Sequence, residues 1–241
     1  MRIRVELFTV GDFVHVYNRG NRKMDIFPDV SDKWHFLKIL RFFNHQGPSE
    51  YIFHKITRQR GFDPTHPFKF EWPEDWGPIK PLVKIINYDL KKNHFHLTLK
   101  EIIKGGISLF MKKLGDGFTL FINLKYKEVG KVFQGSYRGR TPKGDIKNLH
   151  YLDAYIQVFN PFEEYPGGIE AALKEFDKAF EFALNDPFSS LGESFGKRNL
   201  GIIDRDILAE AFPNLETYKE FVKDALLVRN TREILGKLTM E

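Results

Sequence analysis

His94, Phe95 and His96 form a His-x-His triplet inside HFHLTLK (residues 94–100), where polar and apolar residues alternate. A strand repeats every two residues, so Phe95, Leu97 and Leu99 share one face and His94, His96, Thr98 and Lys100 the other. Two imidazoles two residues apart project side by side, a spacing that lets them share one metal ion. Pairs of solvated histidines and unrelated metalloproteins, cupins among them, use the same spacing, so the triplet by itself names no reaction. His15, in the alternating stretch FVHVYN (13–18), reads as a core residue or a neighbour of the pair on the same face.

A second reactive group sits on a helical pattern, KNLHYLDAYIQVF (147–159). Leu149, Leu152, Ile156 and Phe159 form its apolar stripe, and Tyr155 lies at the border, about 80° from the centre at roughly 100° per residue. A border tyrosine ordinarily packs its ring and hydrogen-bonds its hydroxyl to water. Its alternative role is as a nucleophile toward a phosphodiester polarised by a metal held on the histidines.

The elements that must position these groups follow from the same patterns. Residues 13–18 predict a strand running into the turn RGNRK. Residues 31–45 predict a helix with Ser31 and Asp32 as capping residues. A strand is expected around 51–56, followed by a long loop. Residues 82–90 and 94–100 predict a hairpin joined by KKN. Ile107, Phe110, Met111, Leu114, Phe118, Phe121 and Ile122 recur at helical spacing, with Gly115 and Gly117 weakening the helix without ending it. Residues 131–138 predict a short strand and turn, and the tyrosine helix is expected to stop before Asn160-Pro161. The order predicts an α+β sandwich, an antiparallel sheet with helices on one face. Beyond a linker-like PFEEYPGG, helical patterns at about 168–185 and 216–236 predict a helical extension, dividing the chain into 1–161 and 162–241.

Composition narrows the classes. The 241 residues contain no cysteine, which excludes a disulfide framework, a thiolate metal site and a cysteine nucleophile. No apolar run approaches the roughly 20 residues that span a bilayer, and the N-terminus lacks a signal-peptide pattern, so a cytoplasmic protein without membrane partners is expected. The net charge of +5 is unevenly spread: residues 161–241 carry 10 Lys+Arg against 16 Asp+Glu, and residues 1–160 carry 27 against 16. The basic part is the part suited to a polyanion.

Four segments, in order, resemble the REP-associated tyrosine transposases of the single-tyrosine HUH transposase superfamily. They are VYNRGNRKMDIF (16–27), NHFHL (93–97), ISLFMKKLGDGFTLFINLKYK (107–127) leading into GKVFQGSYR (130–138), and YLDAYIQVFNP (151–161). The resemblance implies a ferredoxin-like fold, a divalent cation (Mg²⁺ or Mn²⁺) on His94 and His96, and Tyr155 as the nucleophile that forms a 5′-phosphotyrosine with single-stranded DNA near a hairpin. It leaves both a monomer and a homodimer open. One position departs from the family: Phe159 stands where an Asn or Gln usually follows the tyrosine by four residues. Asn160, five residues on, points about 140° away from Tyr155 in a regular helix, and a π-bulge would bring it round. Gln157 is a further candidate ligand. In a shifted register, Ile156 would occupy the tyrosine's place. Candidate DNA contacts are Arg19, Arg22 and Lys23 after the first strand and Arg138, Arg140 and Lys143 before the tyrosine helix, with Asn18, Asn21 and Gln134 positioned for exposed bases. A non-catalytic hairpin-binding protein and an unrelated His-x-His metallohydrolase are the competing readings.

Overall fold

The computed structural model describes residues 8–47, 77–142 and 145–227. The strand expected at 51–56, Lys143 and the helical pattern beyond 227 lie outside the described residues. Strands β1 (Phe13–Arg19), β2 (Val83–Leu90), β3 (His94–Glu101) and β4 (Arg138–Arg140) form one sheet in the order β2-β3-β1-β4, with every neighbouring pair antiparallel. Helix α1 (Val30–Phe43) joins β1 to β2 and helix α2 (Gly106–Tyr126) joins β3 to β4. This β-α-β-β-α-β order is the ferredoxin-like arrangement of an α+β fold.

The alternation in β1 and β3 sends Val14, Val16, Phe95, Leu97 and Leu99 into one core with Phe36 and Phe43 of α1 and Phe110 and Phe118 of α2. Gly117 does not interrupt α2. A Cβ there would meet Phe43 Cε2 at 2.1 Å, so the glycine admits the α1 ring against the α2 backbone. The N-cap of α1 is Asp29, whose side chain accepts from Ser31 N, while Asp32 returns a bond to the Asp29 N–H. This capping box replaces the expected caps at Ser31 and Asp32, and assigns Asp32 to its third position.

His35 of α1 is buried, its ring stacked on Phe121 with centroids 3.6 Å apart. Burial, with Lys38 and Lys125 nearby, pushes its pKa down to about 3. The folded chain therefore refuses a proton that the unfolded chain takes up below about 6.5, so this stability is full above that pH and lost as pH falls toward 3. His35→Phe is expected to remove up to a few kcal/mol of acid destabilisation between pH 7 and pH 4. Urea unfolding at the two pH values measures it, and an identical pH dependence in the variant would refute the assignment.

Three elements differ from the sequence expectation. The strand before the tyrosine helix is residues 138–140 rather than 131–138; of the earlier stretch only Phe133 pairs, bridging to Gly20. The tyrosine helix does not stop before Asn160-Pro161. It runs as α3 (Ile146–Ala154), a π turn (Tyr155–Phe159) and α4 (Asn160–Glu163). Helices cover both faces of the sheet rather than one. On the histidine face a second core joins Ile86, Leu149, Val158 and Phe159 to Phe180 of α6 (Phe176–Asn185) and Tyr218 of α9 (Leu215–Leu227). Between α3 and α9 lie α5 (Gly168–Lys174), α7 (Leu191–Ser194) and α8 (Ile207–Ala211). The long helical pattern at 168–185 breaks at Glu175.

Residues beyond 161 also guard the β2 edge, whose unpaired groups would otherwise face solvent. Leu90 N donates to Phe188 O, Ser190 N to Tyr88 O and Asp204 N to Ile85 O, at 2.8–3.0 Å. Asp206 pairs with Lys84 and Lys100, both at 2.8 Å. Burial opposes its charge, yet the two lysines hold its pKa down at about 2.

Candidate active site

The sheet register assembles one polar face. Across β1 and β3, His15 lies opposite Thr98, Tyr17 opposite His96 and Arg19 opposite His94. Arg138 and Arg140 of β4 lie opposite Tyr17 and His15. On β2 a bulge places both Ile86 and Asn87 against Thr98, and this extra residue reverses the alternation. Asp89 thereby falls opposite His96 instead of in the apolar core with Ile85. Asn87 repairs the ladder, its Oδ1 accepting the Thr98 N–H at 3.1 Å.

The histidine pair is not solvated. His96 is buried and His94 half-buried, with ring centroids 5.0 Å apart. His94 Nδ1 is 2.6 Å from Asn93 Oδ1, an oxygen that can only accept, so Nδ1 carries the proton and the lone pair lies on Nε2. Burial, then the charges of Arg19 and Lys91, lowers its pKa to about 4. Burial and the neighbouring histidines push His96 well below its ordinary value. Both rings are neutral near pH 7, the state a ligand requires. His15 Nε2 lies 3.0 Å from His96 Nδ1, so His15 stands beside the pair, as its place in the alternation suggested.

Tyr155, half-buried, presents its ring to the edge of His96, centroids 5.9 Å apart. Ile156 is fully buried and Phe159 nearly so, which leaves Tyr155 as the residue of this turn that faces the histidines. The π turn is defined by the Asn160 N–H donating to the Tyr155 carbonyl, five residues back. Five residues then close a turn, and Asn160 comes round to the side of Tyr155 from which an α-helix would exclude it.

Asn160 is buried, and its Nδ2 has no hydrogen-bond partner; His96 Nε2 and Asp89 Oδ2 are in the same condition. Buried polar atoms left unpaired are rare and call for an explanation. An amide turned over would aim Oδ1 where Nδ2 lies. Two neutral imidazoles and an amide oxygen suit a divalent cation. Among the described residues no three His, Cys, Asp or Glu side chains converge as a metal-binding group. Gln157, the other ligand candidate, has its side chain engaged elsewhere. Its Nε2 donates to Asp153 Oδ1 at 2.7 Å and its Oε1 accepts from Ser190 and Ser194 at 3.0 and 2.7 Å, which leaves it no lone pair to spare.

The candidate DNA contacts divide. Arg22, Lys23, Gln134 and Arg138 are exposed, and Arg19, Asn21 and Arg140 half-buried. Asn18 spends its amide on the neighbouring loop, donating to Gly135 O at 3.1 Å while Oδ1 accepts the Arg19 N–H. Asp89 of β2 and Asp153 of α3 are also buried here, and the bulge that turns Asp89 toward His96 is announced by no residue type.

Fold and geometry define an α+β, ferredoxin-like protein whose His94–His96 pair meets a tyrosine on a π turn. No protein-family model and no curated protein matches the sequence. The chain is similar to a solved structure described as "Structure of the REP associates tyrosine transposase bound to a REP hairpin": 13% identity, 85% of this chain and 94% of that chain covered, and a TM-score of 0.44.

Proposed function

We propose that this chain is a metal-dependent tyrosine transposase that nicks and rejoins single-stranded DNA near hairpins. The observation that carries the reading is the T-shaped approach of Tyr155 to His96 with Asn160 drawn alongside by the π turn. The resemblance of four sequence segments to REP-associated tyrosine transposases points the same way. A divalent cation held by His94, His96 and the Asn160 amide would polarise the scissile phosphodiester. Tyr155 Oη attacks phosphorus as the bond to the 3′ oxygen breaks. The phenolic proton passes to solvent, and the departing oxygen takes one up as a 3′-hydroxyl. The 5′ side remains as a phosphotyrosine, whose bond energy is kept for reversal by another 3′-hydroxyl. His94 and His96 stay neutral through burial.

The test is incubation of the full chain and Mn²⁺ with labelled single-stranded hairpin DNA from the flanks of its own gene, followed by a denaturing gel. A covalent protein–DNA band supports the reading. Tight hairpin binding without a band supports a non-catalytic binder, and product released with no covalent intermediate supports a water-using hydrolase.

Arg138 and Arg140, on the edge strand that flanks Tyr17 and His15, are the proposed phosphate contacts. Replacing both by Ala is expected to weaken hairpin binding about tenfold at 0.1 M salt and to lower the salt slope by about 2. An unchanged binding isotherm would take both residues out of the interface.

A further inference from the structure

The buried backbone groups that a π turn loosens need other partners. Here the partners come from beyond residue 161. Pro161 has no N–H to return to the Gln157 carbonyl, and in a regular α turn its ring would collide with that carbonyl. Ser189 Oγ donates to it instead, at 3.1 Å. Ser190 and Ser194 hold the Gln157 side-chain oxygen, and its amide nitrogen is anchored to Asp153. Asp153 Oδ1 also accepts from Asn87 Nδ2 at 2.7 Å, and Asn87 takes the N–H of Thr98, two residues past His96. Every side chain in this chain of bonds is buried. It runs unbroken from the C-terminal extension, through the turn that carries Tyr155, to the strand that carries His96.

We propose that Gln157 is a positioning residue through which Ser189, Ser190 and Ser194 of the extension hold the π turn, and with it the register of Tyr155 and Asn160 against His96. Without that grip the turn loosens, and Asn160 no longer keeps a fixed place beside Tyr155. The extension is then part of the site rather than an appendage. The activity readout rests on Tyr155 being the nucleophile; the structural readout does not.

The test uses full-length Gln157→Met, which keeps the side-chain length and removes its hydrogen bonds. Amide hydrogen exchange at residues 156–160 is expected to quicken about tenfold or more while the distant β1–β3 amides are unchanged. With DNA and Mn²⁺ saturating, single-turnover adduct formation should slow about tenfold or more, with hairpin affinity within about twofold. If Gln157→Met does not fold, Ser194→Ala replaces it, and Ser194→Thr, which restores a hydroxyl, should recover the wild-type exchange pattern. Unchanged exchange at 156–160 in a folded variant would overturn the proposal. If wild type forms no adduct, the transposase reading fails and exchange alone decides the positioning role.

Discussion

Tyr155→Phe is expected to abolish the covalent protein–DNA band, lowering strand cleavage by at least about a thousandfold, since removal of a nucleophile is not compensated by neighbouring groups. The ring would still meet His96 edge-on, so folding and hairpin binding should remain near wild type. Tyr17, stacked near His96 at 6.0 Å, and Tyr151, one turn before Tyr155, are alternative phenols. Mapping the DNA-linked peptide distinguishes them. A band that survives in Tyr155→Phe and vanishes in Tyr17→Phe would move the nucleophile to the sheet.

Asp89→Asn is expected to stabilise the protein strongly at alkaline pH and hardly at all in acid. The carboxyl is fully buried, and burial drives its pKa up to about 8; Asp186 and Glu164 add to the rise and Lys91 opposes it. The folded chain thus holds a proton between about 4 and 8 that the unfolded chain releases. Its contribution to stability is present below pH 4 and declines as pH rises to 8, the reverse of the His35 effect. At about 1.4 kcal/mol per unit, and allowing for relaxation around the site, Asn should gain about 2–4 kcal/mol at pH 8. Urea unfolding in EDTA at pH 4 and pH 8 reads the difference. Equal gains at both values would show that a partner holds the carboxylate ionised in the fold.

The histidine face illustrates how far local pattern reaches. Alternation in HFHLTLK placed His94 and His96 opposite Phe95, Leu97 and Leu99, and the latter three are core residues. A strand's period is a local property, so no tertiary information was needed. The same rule misleads on β2: uninterrupted alternation from Ile85 would send Asn87 and Asp89 into the apolar core. The bulge that turns them toward His96 satisfies pairing with β3, a partner seven residues or more away along the chain.

The tyrosine helix divides in the same way. Its apolar stripe was legible from spacing, and the proline after Asn160 argued for an end to the helix because proline lacks a donor. The helix continues because Ser189 supplies the missing bond and Ser190 and Ser194 secure Gln157, from about thirty residues downstream. What residue order alone determined, then, is the strand and helix succession, the α+β class and the side of β3 on which the histidines stand, since each follows from periodicity within a short segment. Tertiary structure alone decided the burial that keeps the imidazoles neutral, the approach of Tyr155 to His96 and the π turn that brings Asn160 alongside, because each depends on groups distant in sequence meeting in one desolvated space.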